Sequence, residues 1–308
     1  MSVPRMAEAS IGESQVRPFC LCCESTEMSR AFEKGGADFY KCRGCGFTLI
    51  WPRPDDAALV SLYEDYGRRY YSTEGVKRYL LSANHYRREI ELLSRACRTG
   101  TLLDVGCSIG GFVKAAGELG YEAQGIDISR VSVAVGQSAG LMVRSGDFLR
   151  TTFADNFDVI SMWATLEHLP EPSRYVQRAL KMLRPGGIFL ASVPNYAGIT
   201  QRLVGKKDRY VGSDHLNYWT ARGFASYLQK FNLQILETLT FGFNPMTLVK
   251  AALNRGQNCD CEQMAVEQSN SASWKDGWIG RAHGVTERVL NLGMLGDTVA
   301  VAGKLRGQ

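Results

Sequence analysis

The sequence predicts an α/β fold, in which helices cover a mainly parallel sheet, preceded by a small cysteine-rich module. From Thr101 onward, short apolar runs alternate with segments of helical periodicity, as βαβ units do. Before that point, four cysteines occur as two Cys-x2-Cys pairs. The 308 residues, 45% hydrophobic and 22% charged, are ordinary for a globular protein and exclude collagen-like, disordered and coiled-coil classes.

The chain divides into four stretches of different character. A flexible lead over residues 1–17 precedes the cysteine-rich module of residues 18–54. Residues 55–98 are predicted to form helices, since apolar side chains recur there at helical spacing. The α/β domain follows over residues 99–308, with a long insertion at about 241–296 between its last two strands.

Strands and helices of the α/β domain are predicted from apolar runs and helical periodicity. The predicted strands are 101–106, 121–127, 142–146, 157–162, 187–193, 233–240 and 297–302. The predicted helices are 110–119, 129–139, 175–183 and 221–230. The sequence Arg184-Pro185-Gly186-Gly187 is expected to end the third helix, since proline cannot continue a helix and glycine suits its carboxyl-terminal cap.

Charge and cysteine content indicate where the protein works. The formal net charge of +5 is only mildly basic, so long nucleic acid is not an expected partner. No apolar run reaches the roughly 18 residues that span a bilayer, and residues 1–13 lack the apolar core of a signal peptide. Nine cysteines, an odd number in a long chain, favour reduced thiols. We therefore expect a cytoplasmic protein.

The two cysteine pairs have the spacing of a structural zinc site. Cys20 and Cys23 are separated from Cys42 and Cys45 by residues 24–41, which matches a four-thiolate zinc ribbon. A module this small buries too little apolar surface to fold alone, so the metal would supply folding free energy. Cys22 competes with Cys23 as a ligand, and the two-residue spacing favours Cys23. Unligated buried thiols are the alternative.

A glycine-rich turn follows the first predicted strand of the α/β domain. It contains Gly106 and Gly110 and leads into a predicted helix, whose free N–H groups and dipole can hold a ligand. Asp127 ends the next strand, at the spacing expected for a carboxylate that binds a ribose diol. Asp147 ends the third strand beside Phe148, a position suited to an adenine. Together these residues predict a nucleotide-like ligand.

From residue 100 to about 303 the chain resembles the class I S-adenosylmethionine-dependent methyltransferases. The resemblance implies a Rossmann-like seven-stranded sheet with a β-hairpin at one edge, and S-adenosylmethionine as cofactor. It places Asp104 near the methionine amino group, Asp127 at the ribose hydroxyls, and Asp147 with Phe148 at the adenine. The cofactor-binding residues it implies are Asp104, Gly106, Cys107, Gly110, Phe112, Asp127, Ile128, Asp147 and Phe148.

One residue departs from the Gly-x-Gly-x-Gly turn of this family, because Ser108 stands where the middle glycine is usual. Serine is small, so we expect cofactor binding to be retained. A dinucleotide-binding dehydrogenase is the rival interpretation, but it requires Gly-x-Gly-x-x-Gly, which Gly106 and Gly110 do not supply. A tight turn flanked by surface acids, with no ligand, is the remaining alternative.

Two histidines follow predicted strands at the rim where ligands of parallel α/β sheets bind. Glu167 and His168 follow the fourth strand, and His215 follows the fifth. In one hypothesis, His168 or His215 is a general base that helps an acceptor hydroxyl lose its proton. In the other, Glu167, His168 and His215 hold a divalent metal that lowers the pKa of that hydroxyl. Hydrogen bonds that merely orient the loops are the non-catalytic alternative.

These motifs resemble those of two groups of methyltransferases. The Glu167-His168-Leu169 sequence, with His215 further on, is similar to ubiquinone-pathway O-methyltransferases. It also resembles metal-dependent RNA 2′-O-methyltransferases, which carry an additional glutamate where this chain has Ala164, so at most three ligands remain. Methyltransferases with a zinc-ribbon leader often have a tyrosine-rich helical segment, here residues 63–71, and this resemblance implies a helical cap over the cofactor site.

The segment 201–210, a predicted loop after the fifth strand, carries Arg202, Lys206, Lys207 and Arg209 against a single Asp208. Such a loop suits a phosphate or carboxylate on the acceptor. We therefore predict O-methylation of a hydroxyl on a small polar, glycosyl or phosphorylated acceptor. The alternatives are C- or N-methylation of a nucleotide-linked sugar, RNA 2′-O-methylation, and nucleic-acid binding by a zinc protein with a non-catalytic methyltransferase fold. The insertion is expected to form an acceptor lid or a dimer face.

Overall fold

The strands and helices of the chain form two sheets, with helices packed against the larger one, in a computed structural model. The structure describes residues 17–53, 74–82, 84–208, 210–212, 214–243, 286 and 288–306. The strands are β1 (Met28–Lys34), β2 (Ala37–Cys42), β3 (Thr48–Ile50), β4 (Thr101–Val105), β5 (Glu122–Asp127), β6 (Val143–Ser145), β7 (Phe157–Trp163), β8 (Leu183–Pro194), β9 (Asn217–Tyr218), β10 (Leu233–Phe241) and β11 (Thr298–Leu305). The helices are α1 (Glu74–Leu80), α2 (Arg87–Ala96), α3 (Gly111–Glu118), α4 (Arg130–Ser138), α5 (Pro172–Met182), α6 (Ile199–Val204) and α7 (Ala221–Gln229), and 3-10 turns cover Leu166–His168 and Gly205–Lys207.

The larger sheet has seven strands in the order β10-β11-β8-β7-β4-β5-β6, which confirms the predicted fold class. Strands β4 to β8 pair in parallel, and β11 pairs antiparallel with both β8 and β10 at one edge. The chain runs from β4 through β5 to β6, and then returns to the other side of β4 with β7. The order therefore reverses between β4 and β7, and ligands of such sheets bind beyond the strand ends at that point.

The centre of this sheet is buried on both faces. Its strands therefore consist of nearly continuous apolar runs, as expected for parallel strands covered by helices. Fully buried side chains on β4, β7 and β8 include Leu102, Leu103, Val159, Ile160 and Phe189. Burial of each such side chain contributes about 1.5–3 kcal/mol. The rim where the ligand site is predicted thus rests on a rigid apolar layer.

The smaller sheet joins the cysteine-rich module to the α/β part of the chain. Its strand order is β1-β2-β3-β9, and β9 comes from the segment after β8. Thr48 pairs with Tyr218 and Leu49 with Asn217 in antiparallel register. This strand was not predicted from the sequence, because a strand of two residues shows no periodicity.

Two local predictions were wrong. Helix α5 ends at Met182, and β8 begins at the next residue, so residues 184–187 lie inside a strand and do not cap the helix. Pairing of Leu183 with Phe157 of β7 extends the strand, and Gly186 takes its positive φ within an irregular part of that pairing. Residues 201–207 of the predicted loop 201–210 are instead helical, in α6 and the following 3-10 turn.

Several predicted segments lie wholly or partly outside the described residues. They are the lead of residues 1–16, the tyrosine-rich residues 63–71, and residues 244–285 of the insertion. Of the helices predicted over 55–98, the structure describes α1 and α2. In the part of the chain that is described, no helix has the length and apolar character needed to cross a membrane.

Candidate functional site

The glycine turn after β4 has the backbone conformation that its glycines allow. Gly106 and Gly110 have φ of 76° and 82°. The N–H groups of Gly106 and Cys107 both donate to the carbonyl of Ile126 on β5. A Cβ on Gly106 would lie 2.5 Å from Oγ1 of Thr165, so only glycine lets this turn approach the segment after β7 so closely.

Asp127, the last residue of β5, fixes two turns at the sheet rim. Its Oδ2 accepts a 2.8 Å hydrogen bond from the N–H of Ser108, and its Oδ1 accepts one of 2.8 Å from the N–H of Ser129. A carboxylate has about four acceptor positions and can accept hydrogen bonds from two hydroxyls at once. Its chemistry therefore fits the ribose diol of S-adenosylmethionine.

Asp104 lies in β4 at the boundary with β7, where the strand order reverses. It is 3% exposed, and its Oδ1 accepts a 2.7 Å hydrogen bond from the hydroxyl of Ser161 on β7. Burial raises the pKa of this carboxyl to about 8. A cationic amino group brought beside Asp104 would favour its charged form, so the residue fits the ammonium of a bound methionine moiety.

Asp147 does not end the third strand, as the sequence analysis expected. Strand β6 ends at Ser145, and Asp147 lies in the turn after it. Its Oδ1 accepts the N–H of Leu149 at 2.8 Å, and Arg150 pairs with Oδ2 at 3.2 Å. This carboxylate therefore shapes the turn at the rim beside Asp127.

The remaining predicted cofactor residues differ in exposure. Phe148 is buried, and its ring stacks on Tyr175 with centroids 6.0 Å apart. Cys107 and Phe112 are buried as well, whereas Ile128 is 38% exposed. Three of these side chains thus form part of the apolar core beneath the rim, and Ile128 lies at its surface.

Beyond the end of β7, an acid and two imidazoles lie together. Ala164, with φ of 46°, directly follows the strand, and the 3-10 turn after it presents Glu167 and His168. His168 Nε2 lies 3.9 Å from Glu167 Oε1, and the rings of His168 and His215 are 4.6 Å apart and nearly perpendicular. One ligand atom from each of Glu167, His168 and His215 lies within 4.8 Å of the others. The metal hypothesis requires this proximity, whereas a general base needs only one of the two histidines.

Burial sets the protonation of this cluster. Glu167 is 1% exposed, and both its carboxyl oxygens are buried without a hydrogen-bond partner, as is Nδ1 of His215. Burial raises the pKa of Glu167 to about 7. Burial and the neighbouring His215 lower the pKa of His168. Nδ1 of His168 lies 2.8 Å from the carbonyl oxygen of Asp214, which can only accept, so Nδ1 carries the hydrogen and Nε2 holds the lone pair.

The four predicted zinc ligands form one cluster. Sγ of Cys20 lies 3.3 Å from Sγ of Cys45, and Sγ of Cys23 lies 3.5 Å from Sγ of Cys42. These distances are too long for disulfides and close to the roughly 3.8 Å between ligands of a tetrahedral zinc with 2.3 Å bonds. Cys22 is not part of this four-sulfur cluster, and its thiol donates towards a carbonyl oxygen of α7 at 3.9 Å. The donor set therefore fits Zn²⁺.

Basic side chains lie near the rim on α6 and the following 3-10 turn. Arg202, Lys206 and Lys207 are exposed. Asp208 is buried, and its Oδ1 accepts the N–H of Tyr210, so it orders the chain there. Arg209 lies outside the described residues.

Two polar side chains that were not predicted from the sequence hold the rim in place. Asn217 donates from Nδ2 to the carbonyls of Leu166 and Leu169, on either side of Glu167. Arg53 donates to the carbonyl of Leu216 and to Oδ1 of Asn217. No sequence signal identifies either residue, since each acts on a segment distant along the chain.

Comparisons with known proteins agree with the fold. The family model described as "Methyltransferase domain" matches residues 78–238. A ubiquinone biosynthesis O-methyltransferase of Albidiferax ferrireducens is 26% identical over 215 residues, which cover 62% of this chain and 82% of that protein.

Two solved structures share the fold. A chain from the complex between the Haloferax volcanii Trm112 methyltransferase activator and a methyltransferase has a TM-score of 0.54 at 15% identity, over 81% of this chain and 98% of that one. A methyltransferase of Thermotoga maritima described as dependent on S-adenosylmethionine has a TM-score of 0.51 at 15% identity, over 80% of this chain and 100% of that one.

Proposed function

The chain belongs to the class I S-adenosylmethionine-dependent methyltransferases, and we propose that it methylates a hydroxyl group of a small acceptor that carries an anionic group. One observation supports this proposal above the others. Glu167, His168 and His215 lie together beyond β7, next to the point where the strand order reverses. S-adenosylmethionine supplies an electrophilic methyl group when bound, and an alcohol needs help to lose its proton as it attacks.

We assign the role of general base to His168. Its Nδ1–H is held by the carbonyl of Asp214, which orients the ring and leaves the lone pair on Nε2. Its lowered pKa keeps the ring neutral near pH 7, so it can take a proton. Its side chain is 20% exposed, whereas that of Glu167 is 1% exposed. His168 is therefore the member of the cluster that an acceptor can reach most readily.

A divalent metal at the same cluster is the second candidate, and a specific observation favours it. Both oxygens of Glu167 and Nδ1 of His215 are buried without partners, and such atoms are costly unless something binds them. One carboxylate and two imidazoles are a donor set for Zn²⁺, Mn²⁺ or Fe²⁺. The metal would lower the pKa of an acceptor hydroxyl. Ala164 supplies no further ligand, so the set stops at three.

The acceptor class follows from charge and from the relatives. Exposed Arg202, Lys206 and Lys207 near the rim favour a phosphate or carboxylate on the acceptor. Relatives named as O-methyltransferases favour oxygen as the methylated atom.

The seven cysteines among the described residues form no disulfide, which fits a reducing, cytoplasmic setting. We also propose four-cysteine zinc binding, as its geometry supports.

The test is a transfer assay with methyl-labelled S-adenosylmethionine and defined acceptors: phenols, sugar phosphates, nucleotide-linked sugars and a short RNA. We expect an O-methyl product, identified by NMR, from an anionic small molecule. A C- or N-methyl product would support methylation of a nucleotide-linked sugar instead. Methylation of RNA alone would support the RNA 2′-O-methyltransferase, and nucleic-acid binding without turnover would support the non-catalytic zinc protein. Light scattering of the same preparation shows whether the enzyme is the homodimer that the insertion led us to consider.

Variants separate the base from the metal. His168→Gln should lower turnover by about 10²-fold or more, the usual contribution of a general base, with cofactor affinity unchanged. Arg174→Ala is the matched control, because this arginine, on nearby α5, forms an exposed ion pair with Glu171 just before that helix. Turnover that survives EDTA supports the base. Turnover that EDTA abolishes and Mn²⁺ restores supports the metal.

A further inference from the structure

The cysteine-rich module shares a sheet with the segment that carries His215. Strand β3 begins at Thr48, three residues after Cys45, and pairs with β9, which begins at Asn217, two residues after His215. The N–H of Ile50 also donates to the carbonyl of Leu216 at 3.1 Å. The position of His215 is thus set by backbone pairing with the module.

Arg53 continues this connection towards Glu167. Its guanidinium donates to the carbonyl of Leu216 at 3.1 Å and to Oδ1 of Asn217 at 2.8 Å. Leu216 in turn donates its N–H to the carbonyl of Glu167 at 2.7 Å. Asn217 donates to the carbonyl of Leu169 at 2.8 Å. One half-buried cation therefore holds the segment after His215 against the 3-10 turn that carries Glu167 and His168.

Partial burial of the Arg53 guanidinium costs hydration free energy. Burial lowers the pKa of Arg53 to about 10, and the guanidinium remains charged at neutral pH. Its two hydrogen-bond acceptors named above are neutral, so no carboxylate bond among them offsets the loss of hydration. Arg53 therefore contributes mainly by fixing the positions of Leu216 and Asn217, and less by stabilising the fold.

Apolar contacts and a second cation bind the same segment to the module. Phe39 and Ile50 of the module pack with Val211, Leu216 and Tyr218 in one buried cluster. Lys34, at the end of β1, donates to the carbonyl of Asp208 at 3.0 Å. The segment from Asp208 to Tyr218 therefore packs on the module at both ends.

The hydrogen bonds of the cofactor half lie elsewhere, in the large sheet and in the turns at its rim. Asp104 is bonded to Ser161, and Asp127 to Ser108 and Ser129. We infer that the cysteine module is a wall of the acceptor half of the active site, and that Arg53 is a positioning residue that keeps His215 in register with Glu167 and His168. Metal at the four cysteines then controls acceptor use and leaves cofactor binding unaffected. The inference rests on the proposed function only in naming this half the acceptor side.

The test uses full-length Arg53→Met, Arg53→Lys and Cys23→Ser proteins, with Arg30→Met as control. Arg30 lies on β1 of the same module in an exposed pairing with Asp38. The chain has four histidines, so single His→Gln variants assign every imidazole resonance by NMR. Removing one thiolate genetically avoids a chelator that would also strip a metal from Glu167.

We expect Arg53→Met and Cys23→Ser to shift or broaden the resonances of His168 and His215 and to leave that of His85 in place. Affinity for S-adenosylmethionine should stay within about threefold of the parent's, because the cofactor site and the substituted residues share no partner in the described part of the chain. Turnover should fall by about 10²-fold in Arg53→Met, the loss that a misplaced catalytic group causes. Turnover of Arg53→Lys should lie between those of Arg53→Met and the parent, and turnover of Arg30→Met should equal that of the parent.

Two results would overturn the inference. One is unmoved His168 and His215 resonances in both variants, and the other is a loss of cofactor affinity as large as the loss of turnover. If the parent methylates none of the acceptors, the proposed function fails, yet the resonances and the cofactor affinity still decide the inference. Protein that purifies with its four cysteines intact but without metal contradicts the metal part outright.

Discussion

The N–H of Ser108 donates a 2.8 Å hydrogen bond to Oδ2 of Asp127, which ties the turn after β4 to the end of β5. Oδ1 of the same carboxylate accepts the N–H of Ser129, the N-cap of α4. One side chain therefore aligns two turns that both face the proposed cofactor site. Ser108 reaches this bond with φ of 51°, a conformation that the usual glycine adopts more easily.

Replacement of this carboxylate tests the cofactor site. Asp127→Ala should weaken S-adenosylmethionine binding by about tenfold or more, since hydrogen bonds to charged groups contribute roughly 1.5–3 kcal/mol. Isothermal titration calorimetry measures the change. Glu122→Ala, at the exposed start of the same strand, is the control and should bind like the parent. Equal affinity of Asp127→Ala and the parent would remove the basis for the assigned cofactor site.

The serine in the glycine turn provides a second test. Ser108→Gly relieves a left-handed conformation that costs an L-residue about 1–2 kcal/mol, offset in part by the greater freedom of glycine when unfolded. We expect equal or slightly higher thermal stability, and cofactor affinity within about threefold of the parent. A clear loss of affinity, measured by the same titration, would show that the serine side chain takes part in binding and is not merely tolerated.

The strands of the large sheet were predicted well from the sequence, because each is an apolar run that is visible in the residues of that strand alone. Residues 101–105 and 157–163 are buried on both faces and so appear as continuous apolar runs. The prediction that a glycine caps α5 was wrong for a non-local reason. Pairing of Leu183 with Phe157 decides where that helix ends, and no local pattern reports such pairing.

The candidate site divides in the same way. Strand order placed Glu167, His168 and His215 at one rim from the sequence alone, but the 4.6 Å between the two rings depends on how their loops pack. The bond from Arg53 to Asn217 was not predictable, since it joins two segments that meet only in the folded chain. Residues that bind are signalled by spacing, whereas residues that position them are not.

The buried acid at the β4–β7 boundary predicts a pH dependence. Burial raises the pKa of Asp104 to about 8 in the folded chain, so the folded state holds this proton more tightly than the unfolded state does. The stability it contributes is full in acid, below the ordinary pKa of an aspartate, and is lost as the pH rises towards 8. Asp104→Asn keeps an acceptor for Ser161 and has no charge to bury.

We therefore expect the melting temperature of Asp104→Asn, relative to the parent without cofactor, to increase from about pH 5 to pH 9 as the parent's carboxyl becomes charged. Thermal denaturation followed by circular dichroism measures it. Asp155→Asn, which changes an exposed acid in the loop before β7, controls for the loss of one charge. A difference in melting temperature that is constant over this range would contradict the buried-acid interpretation.

Adjacent cysteines allow a matched test of the metal site. Cys23 lies within the four-sulfur cluster, whereas the thiol of Cys22 points towards α7. Cys23→Ser should lower the zinc content from about one equivalent, because a structural zinc site needs all four of its ligands. It should also lower the melting temperature, since zinc supplies folding free energy to so small a module. Cys22→Ser should keep its zinc when both proteins are analysed by atomic emission. Retention of zinc by Cys23→Ser together with its loss from Cys22→Ser would reverse the ligand assignment.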